Sequence, residues 1–245
     1  MRNIKLTIAY DGSRYHGWQR LKNNEQTIQG KLENVISEMV GASTEIIGSG
    51  RTDAGVHATN QVANFHTQST LTIEEIHRYI NHYLPQDIVI KEIIEVPERF
   101  HSRYNAKRKK YVYSVWNDWI HSPFHRKYSH HVVDNLDIAL MKEASLKLMG
   151  THDFIGFSSV KKTKKSTIRS LHEITIEKEQ HVVTFTFIGD GFLHNMVRIL
   201  MGSLVEVGLH KKSIYHIDEV FEGKTRSDAG ITFPPQGLFL EDVYY

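Results

Sequence analysis

Thr44-Glu45-Ile46-Ile47-Gly48-Ser49-Gly50-Arg51-Thr52-Asp53-Ala54-Gly55-Val56-His57-Ala58 leads into the strand-like run Gln61 to His66, and the rest of the 245-residue chain is organised around this stretch. A β-branched run precedes the polar centre and an apolar run follows it. Glycine reaches positive φ and lets another backbone or a ligand come close, so Gly48, Gly50 and Gly55 predict a tight, shaped loop presenting Arg51-Thr52-Asp53. Three plainer readings compete. Asp before Ala-Gly is a common turn residue with a solvated carboxylate. A phosphate-cradling loop needs Gly-Lys-Ser/Thr opening a helix, whereas Val56-His57 follows Gly55. An aspartic-protease site needs two facing aspartates that share a proton. The second Arg-Ser-Asp-Ala-Gly, Arg226 to Gly230, lacks flanking glycines and a preceding strand and runs towards Pro234-Pro235, so it reads as an unrelated loop.

The rest of the chain sets the context. An apolar content of 40% and a charged content of 24% are those of a globular protein with a sizeable core. The absence of cysteine excludes thiol catalysis, disulfides and zinc–thiolate sites, and fits a cytoplasmic enzyme. Met1-Arg2-Asn3 runs directly into a strand with no basic-then-apolar leader, and the longest apolar run, Ile199 to Val205, is too short to span a bilayer. A net charge of +2 says little about partners, but its distribution says more. Arg103, Lys107, Arg108, Lys109 and Lys110 form one basic cluster, and Lys161, Lys162, Lys164, Lys165 and Arg169 form another. Either suits a phosphate-tracking surface or a solvated loop. His121 and His125 have helical spacing, but Pro123 lies between them, and no His-Glu-x-x-His motif occurs, so no metal site is expected.

Periodicity predicts an α+β chain in two halves, 1–104 and 105–245. In the first, Ile4, Leu6, Ile8 and Tyr10 alternate as a strand, and Ile28, Leu32, Val35, Ile36 and Met39 recur as a helix stopped by Gly41. Thr72-x-x-Glu75 is a capping box for a second helix ending at Pro85, and Ile88 to Val96 returns as a strand. Pro97 to Arg108 reads as a linker. The second half opens with a strand, Lys109 to Asn117, that puts Tyr111, Tyr113 and Val115 on one face. A helix with Leu136, Leu140, Ala144 and Leu148 inward follows, stopped by Gly150. Strands Leu171 to Glu177 and Val182 to Ile188 precede a long apolar helix, Phe192 to Val207, and Gly237 to Tyr245 closes the chain as a strand. Met39-Val40-Gly41 and Leu148-Met149-Gly150 occupy corresponding places, the trace of an internal duplication.

Arg198 is the informative residue outside the aspartate loop. It lies in a helix apolar nearly all round, where a guanidinium is costly unless paired or snorkelled to water. No acidic residue sits three or four positions away, so the partner comes from elsewhere, and Asp53 is the expected one. A carboxylate beside arginine is favoured in its ionised form, suited to act as nucleophile or base. Tyr111, among Lys109, Lys110 and Tyr113, is by itself an ordinary strand tyrosine that could equally stack on an extruded base.

These stretches together resemble the tRNA pseudouridine synthase A family. The Arg51-Thr52-Asp53-Ala54-Gly55-Val56-His57 run resembles its catalytic signature, and Lys109-Lys110-Tyr111-Val112-Tyr113 its Arg-Arg-Tyr-x-Tyr segment. Asn195-Met196-Val197-Arg198 and Pro234-Pro235-Gln236-Gly237-Leu238 resemble two further active-site runs. The resemblance extends from Leu6 to the C-terminus and is weakest at Phe157 to Arg169. It implies two ferredoxin-like, RNA-recognition-like α+β halves with mostly antiparallel sheets joined side by side, helices on one face and an active cleft on the other. It implies cofactor-free, metal-free isomerisation of uridine to pseudouridine at positions 38, 39 and 40 of the tRNA anticodon stem-loop, by a homodimer. Asp53 would act as nucleophile, or as base at the sugar. Arg198 would pair with it, Tyr111 would stack on the target uracil, and Arg51, Leu238, Lys109 and Lys110 would contact the RNA. A non-catalytic RNA-binding module and an RNA glycosylase are the alternatives from other classes, although a single carboxylate with an arginine departs from the two-carboxylate glycosidase plan.

Overall fold

The computed structural model describes residues 1–22, 26–161, 165–223 and 225–245. Lys162 and Lys164 of the second basic cluster, and Glu25 in the loop after the first strand, lie outside the described residues. The chain forms two compact units, Met1–Lys107 with Phe239–Tyr245, and Arg108–Leu238. In chain order the first holds β1 (Arg2–Tyr10), α1 (Ile28–Val40), β2 (Ile47–Gly48), β3 (His57–Thr67), α2 (Ile73–Tyr83) and β4 (Ile88–Val96). The second holds β5 (Arg108–Asn117), β6 (His130–Val132), α3 (Ile138–Leu146), β7 (Gly150–Asp153), β8 (Ile168–Glu179), β9 (Val182–Gly189), α4 (Met196–Gly208) and α5 (His216–Gly223), and β10 (Leu238–Tyr244) closes the chain. Both units are α+β. Among the described residues no helix is long and apolar enough to cross a membrane.

In the first unit the strands run β4-β1-β3-β10, with β2 beside β3. β1 is central and antiparallel to both β3 and β4, and its alternation holds: Ile4, Leu6 and Ile8 are fully buried. β10 returns from the far end of the sequence and pairs with β3 in parallel, Phe239 opposite His57 and Leu240 opposite Ala58. That pairing places Phe239–Tyr245 in the first unit rather than the second. The capping box forms at α2 as its spacing requires: the Thr72 hydroxyl accepts from Glu75 N, and the Glu75 carboxylate accepts from Thr72 N at 2.8 Å.

α1 departs from its expected apolar stripe. Ile28, Leu32 and Ile36 are buried, but Val35 and Met39 are only half-buried, and the polar pair Gln29 and Glu33 shares the inward face. The buried Glu33 carboxylate accepts from Gln29 Nε2 (2.9 Å), Ile46 N (3.1 Å) and the Arg20 guanidinium (2.9 Å). A buried acid is tolerated because each oxygen has a donor, and the network fixes the chain where it enters β2. The stretch read as a linker is likewise fastened down. Asn3 Nδ2 donates to the carbonyls of Pro97, Glu98 and Phe100, Asn64 bridges Asn3 to Ser102 N, and the Tyr245 hydroxyl donates to Ser102 O at 2.7 Å.

The second unit orders its strands β5-β9-β8-β7, with β6 beside β5. Tyr111, Tyr113 and Val115 share the buried face of β5, as the alternation requires. The helices differ more from expectation. α3 ends at Leu146, its buried positions are Met141, Ala144 and Ser145 instead of Leu140, and Gly150 with φ of 93° opens β7 rather than capping the helix. Gly41, by contrast, does cap α1 in the left-handed region, so the two glycines of the apparent duplication do different work. α4 begins only at Met196, because Asn195 at φ 59° breaks the backbone from Phe192. The Arg226 loop is tied to itself, with Arg226 donating to Gly230 O (2.9 Å) and Thr232 Oγ1 (2.8 Å).

Glu33→Ala removes the acceptor of a buried peptide N–H and a buried amide, each worth about 1–3 kcal/mol when left unsatisfied. Urea unfolding of that variant is expected to show a loss of at least about 2 kcal/mol, with Arg20→Ala, at an exposed partner, costing well under half as much.

Candidate active site

The loop carrying Asp53 is shaped from outside. Trp18 N donates to Thr52 O (3.0 Å) and Gly55 N to Tyr15 O (3.2 Å), so the segment after β1 grips the backbone on both sides of Asp53. The Tyr10 hydroxyl sits 2.8 Å from Thr52 Oγ1, and its burial pushes the phenol well above its ordinary range, keeping it neutral and able to donate. Within the loop Val56 N donates to Asp53 O (3.2 Å), closing a turn whose third residue, Gly55, has φ of 77°. A type II turn demands positive φ there, so the glycine is set by backbone geometry. Gly48 answers to a different constraint: a Cβ on it would stand 2.6 Å from the Trp18 indole, so the ring lies directly on bare backbone.

Flanking side chains complete the frame. Ser49 donates its hydroxyl to Gln61 Oε1 (2.6 Å), and Gln61 Nε2 donates to Gly50 O (3.3 Å). His57 is fully buried, with Gly12 N 3.1 Å and Asp11 Oδ1 3.2 Å from its Nδ1, and it stacks on Phe239 at 4.6 Å between ring centres. Inside this frame Thr52 is buried, Asp53 is half-buried and Arg51 is exposed. The arrangement offers a carboxylate from a braced turn, with the exposed Arg51 two residues earlier in the chain.

Arg198 sits in the first turn of α4 and is half-buried, unlike its fully buried neighbours Ile199 and Leu200. Its Nε donates to Phe233 O (2.6 Å) and its Nη1 to Asn195 Oδ1 (2.8 Å), while Phe233 N donates back to Arg198 O (3.0 Å). Neutral oxygens thus orient the guanidinium within the second unit. The left-handed Asn195 serves as an acceptor for it instead of capping the helix. The Phe233–Pro234 segment is held in turn by Tyr113, whose hydroxyl donates to Pro234 O (2.7 Å). Burial raises the Tyr113 phenol pKa far above normal, with Arg198 pulling weakly the other way.

The other expected residues fall on three elements. Lys109 and Lys110 are half-exposed on β5, and Tyr111 on the same strand is only 7% exposed, with its ring edge-to-face against Phe192 at 4.9 Å. Leu238 is buried at the start of β10. Arg103, Lys107 and Arg108 of the first basic cluster are exposed. Among the described residues no group of three His, Asp or Glu side chains is placed to hold a metal ion. Sequence reading passed over Tyr10, Tyr15 and Trp18 as the builders of the Asp53 loop's frame. The available signal was a tryptophan between glycine-marked turns in an otherwise polar stretch.

Comparison with known proteins bears on this geometry. A family model described as tRNA pseudouridine synthase matches residues 6–105 and 144–245. The chain is 50% identical to the tRNA pseudouridine synthase A 2 of Bacillus anthracis and 51% identical to the tRNA pseudouridine synthase A of Bacillus sp. (strain KSM-64), over 100% of each pair of chains. It is 46% identical, again over 100% of both chains, to the tRNA pseudouridine synthase A 1 of Clostridium tetani (strain Massachusetts / E88). With relatives matched from end to end and a family model that takes in the Asp53 loop, β10 and α4, the chain belongs to the tRNA pseudouridine synthase family.

Proposed function

We propose that this enzyme converts uridine to pseudouridine at positions 38, 39 and 40 of the tRNA anticodon arm, with Asp53 as the catalytic carboxylate and no cofactor. The observation that supports the assignment most is the bracing of the Asp53 turn, gripped by hydrogen bonds from Trp18 N and to Tyr15 O. A turn that merely reverses the chain needs no such support, whereas a reacting group must be held to within a fraction of an ångström. The reaction breaks the C1′–N1 bond, turns the uracil and joins C1′ to C5. The proton lost from C5 is balanced by one gained at N1, and no electrons are transferred. Such chemistry asks the protein for a nucleophile or base near the sugar and a means of holding the detached base.

Asp53 supplies the first, either by attack or by proton abstraction at the sugar. Arg198 is the guanidinium proposed to pair with its carboxylate, its planar group already oriented by Phe233 O and Asn195 Oδ1. Tyr111 is proposed to stack on the target uracil, with Leu238 and Arg51 beside the nucleotide and Lys109 and Lys110 on the phosphates. The reading extends to a cytoplasmic homodimer with tRNA as its macromolecular partner.

Asp53→Asn keeps the shape of the side chain but can neither attack nor take a proton, so turnover is expected to fall about a thousandfold or more while tRNA affinity is nearly unchanged. Retained turnover in the purified variant would sink the assignment, and binding without turnover in the wild type would favour a non-catalytic RNA-binding module. Arg198→Lys places a point charge where a planar fork stood, and a carboxylate displaced by about an ångström costs about a hundredfold in rate. Arg198→Met is expected to lose at least as much activity, and to cost only about 1–3 kcal/mol in urea unfolding, because the group is half-buried and water can take its place. Full activity in either variant would remove Arg198 from the site. Neutralising Lys107, Arg108, Lys109 and Lys110 together should flatten the dependence of log affinity on log salt by about one unit for each phosphate that no longer meets a cation, and an unchanged slope would place the RNA elsewhere.

A further inference from the structure

The stretch Trp119-Ile120-His121-Ser122-Pro123-Phe124-His125-Arg126-Lys127-Tyr128, between β5 and β6, lies in the interval between the two segments matched by the family model and takes no part in the site above. It exposes aromatic surface on a scale found nowhere else among the described residues of the second unit: Trp119 is 78%, Phe124 89% and Tyr128 42% exposed. Water-facing rings of this size are costly unless they have a use, and here they are interleaved with the exposed cations Arg126 and Lys127. The ten residues contain no acid. The one carboxylate at their edge, Asp118, is engaged by His181 at 2.6 Å and by Ile120 N at 2.9 Å.

The loop is also stiff. Trp116 Nε1 donates to Ile120 O (2.7 Å), and the Trp116 ring stacks on His125 at 4.5 Å. Ser122 Oγ meets His125 Nδ1 (2.9 Å), Tyr128 N and Ser129 Oγ both donate to His125 O (2.9 Å each), and His131 Nε2 lies 2.7 Å from Asp118 O. Rings and cations are therefore presented from a fixed platform, with little ordering left to be done on binding. Flat apolar faces with positive charge between them complement unpaired nucleotides, whose bases stack and whose phosphates are anionic. A protein partner of matching apolar character would not call for cations without acids among them.

We infer that this loop is a second RNA contact, taking unpaired nucleotides of the tRNA outside the anticodon arm, an assignment that rests on tRNA being the substrate. The spacing agrees: the loop leaves the far end of β5 from Tyr111, and the steps from Tyr111 to Asn117 along an extended strand span about 20 Å. A nucleotide on the platform is thus several phosphates away from one stacked on Tyr111.

The test compares a full-length tRNA transcript with an isolated anticodon stem-loop, each titrated by fluorescence anisotropy against the wild type, Trp119→Ala/Phe124→Ala and Arg126→Gln/Lys127→Gln. All four positions are exposed, so both variants fold. The aromatic pair is expected to weaken full-length tRNA binding about tenfold or more and to leave stem-loop binding unchanged. The basic pair is expected to lower the salt slope for the full-length transcript only, by about one to two units. Unchanged affinity for the full-length transcript, or equal weakening on both RNAs, overturns the inference. A sedimentation coefficient that falls in the aromatic variant assigns the face to a second copy of the chain and overturns it too. Pseudouridine formation by the wild type on the same transcript tests the catalytic reading separately from these binding curves.

Discussion

Two peptide hydrogen bonds, Trp18 N to Thr52 O and Gly55 N to Tyr15 O, hold the segment after β1 against the Asp53 loop, and the placement of the Asp53 carboxylate depends on them. Neither involves a side chain of the loop itself. The clamp fixes the backbone immediately before and two residues after Asp53, which leaves the carboxylate few directions to take. The Tyr10–Thr52 contact and the Trp18 ring against Gly48 then exclude water from the back of the loop, making its peptide hydrogen bonds harder to exchange for solvent. Local stability and the placement of the carboxylate are coupled here, because whatever loosens the Asp11–Trp18 segment loosens Asp53.

Further polar networks hold the approaches to this loop. Glu33 ties α1 to Ile46, just before β2, and the Asn3–Asn64–Ser102 chain ties the 97–105 segment across β1 and β3. Both networks are buried and saturated, and both replace apolar contact with directional bonds. An apolar core tolerates sliding by a fraction of an ångström, whereas a carboxylate with three donors does not. Polar residues at these core positions therefore fix the register of the segments around the Asp53 loop.

In the second unit, Arg198 illustrates how a charge is oriented at a helix terminus with no acid three or four positions away on its helix. Carbonyl and amide oxygens from Phe233 and Asn195 orient the guanidinium. A guanidinium held at two of its nitrogens presents its planar fork in a fixed direction. Asn195 takes a left-handed backbone, which asparagine adopts more readily than most residues, and its side chain meets Arg198.

Where the physics is local, the sequence by itself determined the outcome. Alternation in β1 and β5 set their buried faces, Thr72 and Glu75 set the start of α2, and the glycines around Asp53 announced a shaped loop, because each depends on residues a few positions apart. The family resemblance added named candidates for the site. Only the tertiary structure decided which segment braces the Asp53 loop, that Glu33 is a core residue, that β10 belongs beside β3, and that α4 starts at Met196. Those outcomes rest on hydrogen bonds between residues far apart in the chain, such as Asn64 with Ser102 or Arg198 with Phe233, and the donors and acceptors concerned are mostly backbone groups that every residue carries alike. Periodicity cannot distinguish one peptide carbonyl from another; the fold does so by bringing a particular one within reach.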